Sequence, residues 1–115
     1  MDIEALQRKL AEFSAERDWE QFHSPKNLAM ALAAEAGELL EVFQWLGEAE
    51  SNALNPAQRR AAELELADVL IYLVRLADRL GIDLDAAVAV KMQINAERYP
   101  VELSKGNATK ADRRD

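Results

Sequence analysis

Residues 64–74 read LELADVLIYLV, and every position in this run except Glu65, Asp68 and Tyr72 is aliphatic. Neither this run nor any other segment shows a strand-like alternation of apolar and polar residues over a useful length. The sequence therefore predicts an all-α fold, built as a four-helix bundle. Because the run is apolar around most of a helix circumference, we also expect it to pack against another copy of the chain, in a homodimer or homotetramer.

Start and stop signals divide the chain into helices, which are predicted over residues 2–17, 24–46, 55–80 and 83–99. Ser24 and Asn55 are each followed by a proline, which is typical of an N-cap and the first helical position. Gly81 is a plausible C-cap for the third helix, and Asp83 can cap the fourth.

The fourth helix carries three apolar residues, Val88, Met92 and Ile94, which are expected on its buried side. A chain of 115 residues is long enough for one core and too short for two ordinary domains. We therefore expect a single helical domain over residues 1–100, followed by a polar C-terminal tail over residues 101–115.

Two acidic pairs, Glu35/Glu38 and Glu65/Asp68, are each spaced three residues apart within apolar helical sequence. This spacing places both carboxylates of a pair on one helix face, about one turn apart. Carboxylates buried together repel one another and lose hydration, so protonation or a bound cation must relieve them. Oxygen ligands of this kind favour Mg²⁺, with Mn²⁺ as the alternative. The alternative without a metal is that these acids simply form a solvated helix face.

Composition narrows the classes of function. A formal net charge of −7 argues against binding a nucleic-acid polymer through its backbone, which needs clustered Lys and Arg. With no cysteine, the chain offers no disulfide, thiolate metal site or cysteine nucleophile. The N-terminus lacks a basic region followed by an apolar stretch, and charges interrupt every long helical pattern. We expect a cytoplasmic protein without a membrane partner.

The acidic motifs, Glu35-Ala-Gly-Glu38 and Glu65-Leu-Ala-Asp68, resemble the E-x-x-E and E-x-x-D signature of MazG-like, all-α nucleoside triphosphate pyrophosphohydrolases. The resemblance covers most of the chain and is greatest to the dCTP pyrophosphatase branch. It extends through the segments ERDWEQFH (16–23), FQW (43–45), DVLIY (68–72), KMQIN (91–95) and RYP (98–100).

The resemblance implies that a nucleoside triphosphate is cleaved between its α and β phosphates, giving a monophosphate and pyrophosphate with Mg²⁺. The metal ligands would be Glu35, Glu38, Glu65 and Asp68. Glu38 would also accept the proton of the attacking water. Glu41 is the alternative base or an outer partner of the site, unless it simply faces solvent.

The resemblance also places Trp19, His23 and Trp45 in a pocket for the nucleobase, where aromatic rings can stack. From the residues alone, Trp45 could equally be core or helix-end packing, and His23 a surface or capping residue. Tyr72 follows Asp68 by one turn, so it either meets the sugar or fills the core.

Lys91, Asn95 and Arg98 fall near one helical face and could contact phosphates, or could form an exposed basic face on an acidic chain. In the tail, Lys105 and Lys110 resemble the basic segment that folds over phosphates in the family. By composition alone, the tail is a frayed terminus.

Two departures from the family pattern leave the substrate open. Gln93 stands where dCTP-preferring relatives often carry an acid, and Ala111 follows Lys110 where an aromatic residue is common. The competing predictions are therefore dCTP or a modified dCTP, dUTP or another noncanonical nucleotide, and a noncatalytic helical interaction module.

Overall fold

The computed structural model describes residues 1–113, and the regular elements in this range are all helical. Residues 114 and 115, the end of the predicted tail, lie outside the described range. Six α-helices are present: α1 (Ile3–Glu16), α2 (Pro25–Phe43), α3 (Glu48–Ser51), α4 (Pro56–Leu80), α5 (Leu84–Arg98) and α6 (Val101–Ser104). Two short 3₁₀ helices occupy Glu20–Phe22 and Ala111–Arg113.

The predicted caps are confirmed at the ends of the long helices. Ser24 Oγ accepts a hydrogen bond from the Asn27 amide at 3.2 Å, and Asn55 Oδ1 accepts one from the Gln58 amide at 2.8 Å. Each satisfies a backbone donor that the first helical turn cannot pair internally. Gly81 ends α4 with φ +66°, a left-handed conformation that favours glycine.

The predicted count of four helices is wrong, because two four-residue helices are also present: α3 between α2 and α4, and α6 after α5. The Glu50 carboxylate accepts a hydrogen bond from the Gly47 amide at 3.3 Å, which stabilises the start of α3. Such single turns bury little and carry no apolar periodicity, so the pattern that identifies long helices does not detect them. Helix α2 also ends earlier than predicted, at Phe43 rather than near residue 46.

The core of the N-terminal part of the chain lies where α4 packs against α2 and α1. Leu28 on α2 is 1% exposed and Val74 on α4 is 0% exposed, and Ala62 and Ala77 are also buried. The chain divides into two compact units, Met1–Gly81 and Ile82–Asp115. The acidic pairs lie in the first unit, on α2 and α4.

Several apolar side chains that were expected to be buried are exposed. The expectation for Val88, Met92 and Ile94 is wrong: all three are exposed on α5. Leu64 and Leu66, which flank the second acidic pair, are also more than half exposed. Helical periodicity identifies residues that form an apolar stripe, but it does not say whether the same chain supplies the surface that covers it. Within residues 1–113, no helix is both long and apolar enough to cross a membrane.

Candidate functional site

The two helices that form the core also bring the acidic pairs together. One carboxylate oxygen from each of Glu35, Glu38 and Glu65 lies within 4.8 Å of the others. Asp68 follows Glu65 by three residues on α4, and its charge acts on both Glu35 and Glu65. The i to i+3 spacing on each helix, combined with the packing of α2 on α4, brings Glu35, Glu38 and Glu65 together. Asp68 does not belong to this close group, but it is near enough for its charge to act on Glu35 and Glu65. We call these four residues the acid cluster.

The acids of this cluster are not equally buried. Glu38 is exposed, whereas Glu35, Glu65 and Asp68 are half-buried, so the expectation of four carboxylates buried together is corrected. The Oε2 atoms of Glu35 and Glu65 are shielded from solvent and have no hydrogen-bond partner among the described residues. Buried polar atoms are almost always paired, so these two oxygens indicate a missing partner.

Burial and mutual repulsion perturb the acid cluster in the metal-free chain. Burial, together with the neighbouring Glu38 and Asp68 carboxylates, raises the pKa of Glu35 from 4.5 to about 7. The same causes, burial first and then the charge of Glu38, raise the pKa of Glu65. Perturbed acids that converge in this way are typical of metal and catalytic sites.

The acid cluster fits a divalent cation. It offers hard carboxylate oxygens, and Glu35 and Glu65 each contribute an unpaired, shielded oxygen atom. A cation would satisfy these atoms and cancel the repulsion that raises both pKa values. Carboxylate sites without nitrogen or sulfur ligands are typical of Mg²⁺, Mn²⁺ and Ca²⁺.

A cavity of about 540 Å³ adjoins the acid cluster in the same unit, and Asp68 belongs to both. Its walls are mainly apolar and aromatic, with a few polar groups, which is the usual composition of a small-molecule site. The residues that line it are Leu6, Lys9, Leu10, Phe13, Ser14, Trp19, His23, Asp68, Ile71, Tyr72 and Arg75. Three residues predicted from the sequence to contact a base or sugar, Trp19, His23 and Tyr72, are therefore found together.

Trp19 is placed by the way α1 ends. The Trp19 amide donates to the Ser14 carbonyl at 2.9 Å and the Asp18 amide donates to the Ala15 carbonyl at 3.1 Å, a Schellman motif. Asp18 adopts the left-handed conformation that this motif requires, with φ +54°. The motif turns the chain so that the Trp19 ring contacts Phe13 edge to face, with 5.8 Å between ring centroids.

Two arginines of α4 contact His23, Arg75 at its ring and Arg79 at its backbone carbonyl. Arg75 Nε donates to His23 Nδ1 at 3.3 Å, and Arg79 Nε donates to the His23 carbonyl at 3.1 Å. Burial, followed by the positive charges of Arg75 and Arg79, lowers the pKa of His23 below 6.5, while Glu20 opposes that shift. These surroundings therefore favour the neutral form of the His23 ring.

Sequence reasoning missed Arg75, although a guanidinium within an apolar helical run was a usable signal. Arg75 is 4% exposed, and its charge is balanced by Asp78 at 3.2 Å and Glu20 at 4.0 Å.

Trp45 and Glu41, which were also predicted as site residues, do not line this cavity. Trp45 is 88% exposed beyond the end of α2, and Glu41 is exposed about one turn after Glu38.

A second cavity, of about 510 Å³, lies within the C-terminal unit and is basic and polar. It is lined by Lys91, Asn95, Arg98, Tyr99, Asn107, Ala108, Thr109 and Lys110. The helical face predicted for Lys91, Asn95 and Arg98 therefore meets Lys110 of the tail. Lys105 is exposed and does not belong to this lining.

The tail is folded over α5 by specific backbone contacts. Gly106 has φ +83°, and the Asn107 side chain accepts from the Thr109 amide at 3.1 Å. The Tyr99 hydroxyl accepts from the Ala111 amide at 3.1 Å, which ties the tail to the residue that follows α5. The interpretation of the tail as a frayed terminus is not supported over residues 101–113.

Comparisons with known proteins identify relatives that are all pyrophosphatases by name. The chain is 56% identical to dCTP pyrophosphatase 1 of Rattus norvegicus and 52% identical to that of Homo sapiens, over 110 residues in each case. Each alignment covers 94% of this chain but only 65% of the curated relative. A crystal structure of a pyrophosphatase from Archaeoglobus fulgidus DSM 4304 has a TM-score of 0.80 and 42% identity, covering 84% of this chain and 91% of that one.

A sequence model of the MazG-like family matches residues 30–112, a range that holds the whole acid cluster, Tyr72 and the second cavity. The resemblance drawn from the acidic motifs is thereby confirmed: the chain belongs to the MazG-like family.

Proposed function

We propose that this chain is a Mg²⁺-dependent pyrophosphohydrolase that cleaves a nucleoside triphosphate, dCTP or a modified dCTP, to a monophosphate and pyrophosphate. The observation that carries the proposal is the acid cluster, whose two unpaired shielded oxygens fit a cation and whose Asp68 also lines an aromatic cavity. Two of the relatives are a dCTP pyrophosphatase 1 and a pyrophosphatase, and these names support the reaction and the base.

In this proposal, Glu35, Glu38, Glu65 and Asp68 hold Mg²⁺. The bound cation would neutralise phosphate charge and lower the pKa of a coordinated water. Glu38, the exposed member of the cluster, accepts the proton of the attacking water, and Glu41 is the alternative base. The half-buried Glu35 and Glu65 have no exposed face comparable to that of Glu38, so they serve better as ligands than as the base.

The aromatic cavity would hold the nucleobase and sugar. Trp19 offers a ring face for stacking, His23 a hydrogen-bonding edge, and Tyr72 a ring beside Asp68. A cavity of about 540 Å³ has the volume of an ordinary small-molecule site. Trp45 is exposed and does not line this cavity. Its predicted contact with the base therefore requires another surface that brings Trp45 and the base together.

The basic cavity of the C-terminal unit would bind phosphate groups through Lys91, Asn95, Arg98 and Lys110. We expect Lys91→Ala and Lys110→Ala each to raise KM for the nucleotide about tenfold, because one charge-assisted hydrogen bond is worth roughly 1.5 kcal/mol or more. Steady-state kinetics on the purified variants would measure the change.

Lys105→Ala is the matched control, since Lys105 is a tail lysine outside the cavity lining. An unchanged KM in Lys91→Ala and Lys110→Ala would contradict phosphate binding in this cavity. An equal rise in KM in all three variants would also contradict it, because Lys105 does not line the cavity.

The metal-free protein should lose stability as pH rises. A folded-state pKa of about 7 for Glu35, above its ordinary 4.5, means that folding favours the protonated acid. This contribution is complete below about pH 4.5 and is lost as pH rises through 7. We expect a lower Tm at pH 7.5 than at pH 5.5 in chelator, and a Mg²⁺-induced rise in Tm that is larger at pH 7.5, because ligands must be ionised to bind.

Differential scanning fluorimetry of the wild type and Glu35→Gln isolates this effect from other titrating groups. The variant cannot ionise at this position, so its metal-free Tm should fall less between the two pH values. Identical pH profiles for the two proteins would show that Glu35 is not the responsible group.

We also propose that the chain assembles as a homodimer or homotetramer. The exposed apolar side chains of α4, including Leu64, Leu66 and Leu73, support a covered surface. Sedimentation equilibrium tests this directly, and a particle of a single chain's mass, 12.9 kDa, would refute it.

The reaction itself is tested by chromatography of the products after incubation with dCTP, 5-methyl-dCTP, dUTP and the other dNTPs, with Mg²⁺ and with chelator. We expect Mg²⁺-dependent release of monophosphate and pyrophosphate, with the highest kcat/KM for a cytosine base. Diphosphate plus orthophosphate would refute cleavage between the α and β phosphates. No turnover on any nucleotide would favour a noncatalytic helical module.

A further inference from the structure

Arg75 is a buried charge that lines the aromatic cavity, and its guanidinium contacts a histidine and two acids. Its side chain is 5% exposed, and Nε donates to the His23 ring at 3.3 Å. The other end of the guanidinium contacts Asp78 Oδ2 at 3.2 Å and Glu20 Oε1 at 4.0 Å. Two acids thus hold the guanidinium in place while Nε faces the histidine.

This contact determines where His23 carries its proton. A guanidinium has five donors and no acceptor, and it stays protonated in proteins. His23 Nδ1 must therefore be the acceptor, so it carries no proton. In a neutral imidazole the proton then resides on Nε2, which becomes the donor of the ring.

The remaining nitrogen is available to a ligand. Among residues 1–113, no hydrogen bond from His23 Nε2 is observed, and His23 belongs to the cavity lining beside Trp19, with 6.4 Å between ring centroids. A base stacked on Trp19 would therefore meet a histidine that donates a hydrogen bond. Cytosine, the base of the proposed substrate, has acceptor atoms at N3 and O2 that match this donor.

We propose that Arg75 is a positioning residue that fixes His23 as the Nε2–H tautomer, so that the aromatic cavity presents a hydrogen-bond donor to an acceptor atom of the ligand base. The part of this inference that concerns the base rests on the proposed function. The part that concerns the tautomer rests on the His23–Arg75 contact alone.

The tautomer is measured first in the wild type, by long-range ¹H–¹⁵N NMR of the histidine ring at pH 7.5, without substrate or metal. His23 is the one histidine in the chain, so the assignment is unambiguous. We expect an unprotonated Nδ1 and a protonated Nε2. A proton on Nδ1, or rapid averaging of the two tautomers, would overturn the proposal without the need for any variant.

Arg75→Met then removes the donor while keeping an unbranched side chain of similar length. We expect mixed tautomers and a higher His23 pKa in this variant, with helicity retained by circular dichroism. Arg79→Gln is the matched control. It removes a neighbouring positive charge, but Arg79 donates to the His23 backbone carbonyl rather than to the ring. It should raise the His23 pKa but keep the proton on Nε2. An unchanged tautomer in Arg75→Met would overturn the proposal.

Kinetics separate the tautomer from the reaction. With dCTP, Arg75→Met should raise KM about two- to threefold, because only the Nε2–H fraction of the mixed tautomers donates to the base, and kcat should stay the same. Arg79→Gln, which keeps the proton on Nε2, should change KM by less than about 1.5-fold. An unchanged KM despite mixed tautomers would overturn the donor role. If the wild type turns over no nucleotide, the proposed function fails, while the NMR result still decides the tautomer.

Discussion

Glu65→Gln should abolish the proposed pyrophosphohydrolase activity while making the metal-free protein more stable. The change keeps the size of the side chain but removes a ligand charge, and the several kcal/mol of transition-state stabilisation that a bound cation supplies corresponds to a loss of at least about a thousandfold in kcat/KM. Neutralisation also removes a carboxylate whose pKa is raised by burial and by Glu38, so the Tm in chelator at pH 7.5 should rise. Enzyme assays and thermal melts with and without Mg²⁺ measure the two effects.

Glu63→Gln provides the matched control on the same helix. Glu63 lies two residues before Glu65, on another face of α4, where it forms exposed ion pairs with Arg59 at 3.7 Å and Arg60 at 3.4 Å. Such pairs contribute little, so activity and Tm should both stay close to those of the wild type. A Glu65→Gln protein with normal turnover would show that the acid cluster is not the catalytic site. A lower metal-free Tm in that variant would refute the repulsion argument.

Leu28→Ala should cause a large loss of stability, because Leu28 is one of the two largest fully buried side chains among residues 1–113. Leu28 is 1% exposed on α2, in the helix pair that also positions the acid cluster. Truncating its isobutyl side chain to a methyl group loses burial and leaves a cavity, at a cost of about 3 kcal/mol. For a chain of this size that corresponds to a fall in Tm of roughly 15 °C. Urea unfolding monitored by circular dichroism measures the free energy.

Leu80→Ala makes the same chemical change where the side chain is 52% exposed, near the end of α4. Its expected cost is about 1 kcal/mol or less, since less apolar area is withdrawn from water. Equal losses in the two variants would mean that the α2 and α4 interface is not the core. Because the acid cluster depends on the same interface, Leu28→Ala should also weaken the Mg²⁺-induced rise in Tm.

The long helices and the acid cluster could be predicted because local rules govern them. Ser24 and Asn55 cap their helices through their own side chains, and Gly81 ends α4 in a backbone conformation that glycine favours. The spacing of Glu35/Glu38 and of Glu65/Asp68 fixes a shared face on each helix. The family followed from the same motifs.

What could not be predicted depends on contacts between distant parts of the chain. Arg75 meets His23 across 52 residues of sequence, and no local pattern reports such a pair. Val88 and Met92 form an apolar stripe on α5 that is exposed in the part of the chain that the structure describes. The burial of Glu35 relative to Glu38 likewise depends on how α2 and α4 pack, which helical periodicity leaves open.

The contrasting positions of the two tryptophans give the chain two optical probes. Trp19 is partly enclosed in the aromatic cavity, whereas Trp45 is almost fully in water. With Trp45→Phe, emission reports on Trp19 alone, so a nucleotide stacking in the cavity should quench it. With Trp19→Phe, emission from Trp45 should shift to the blue when another surface covers it. Ligand occupancy and assembly can thus be followed separately, by fluorescence titration of one variant against nucleotide and dilution of the other.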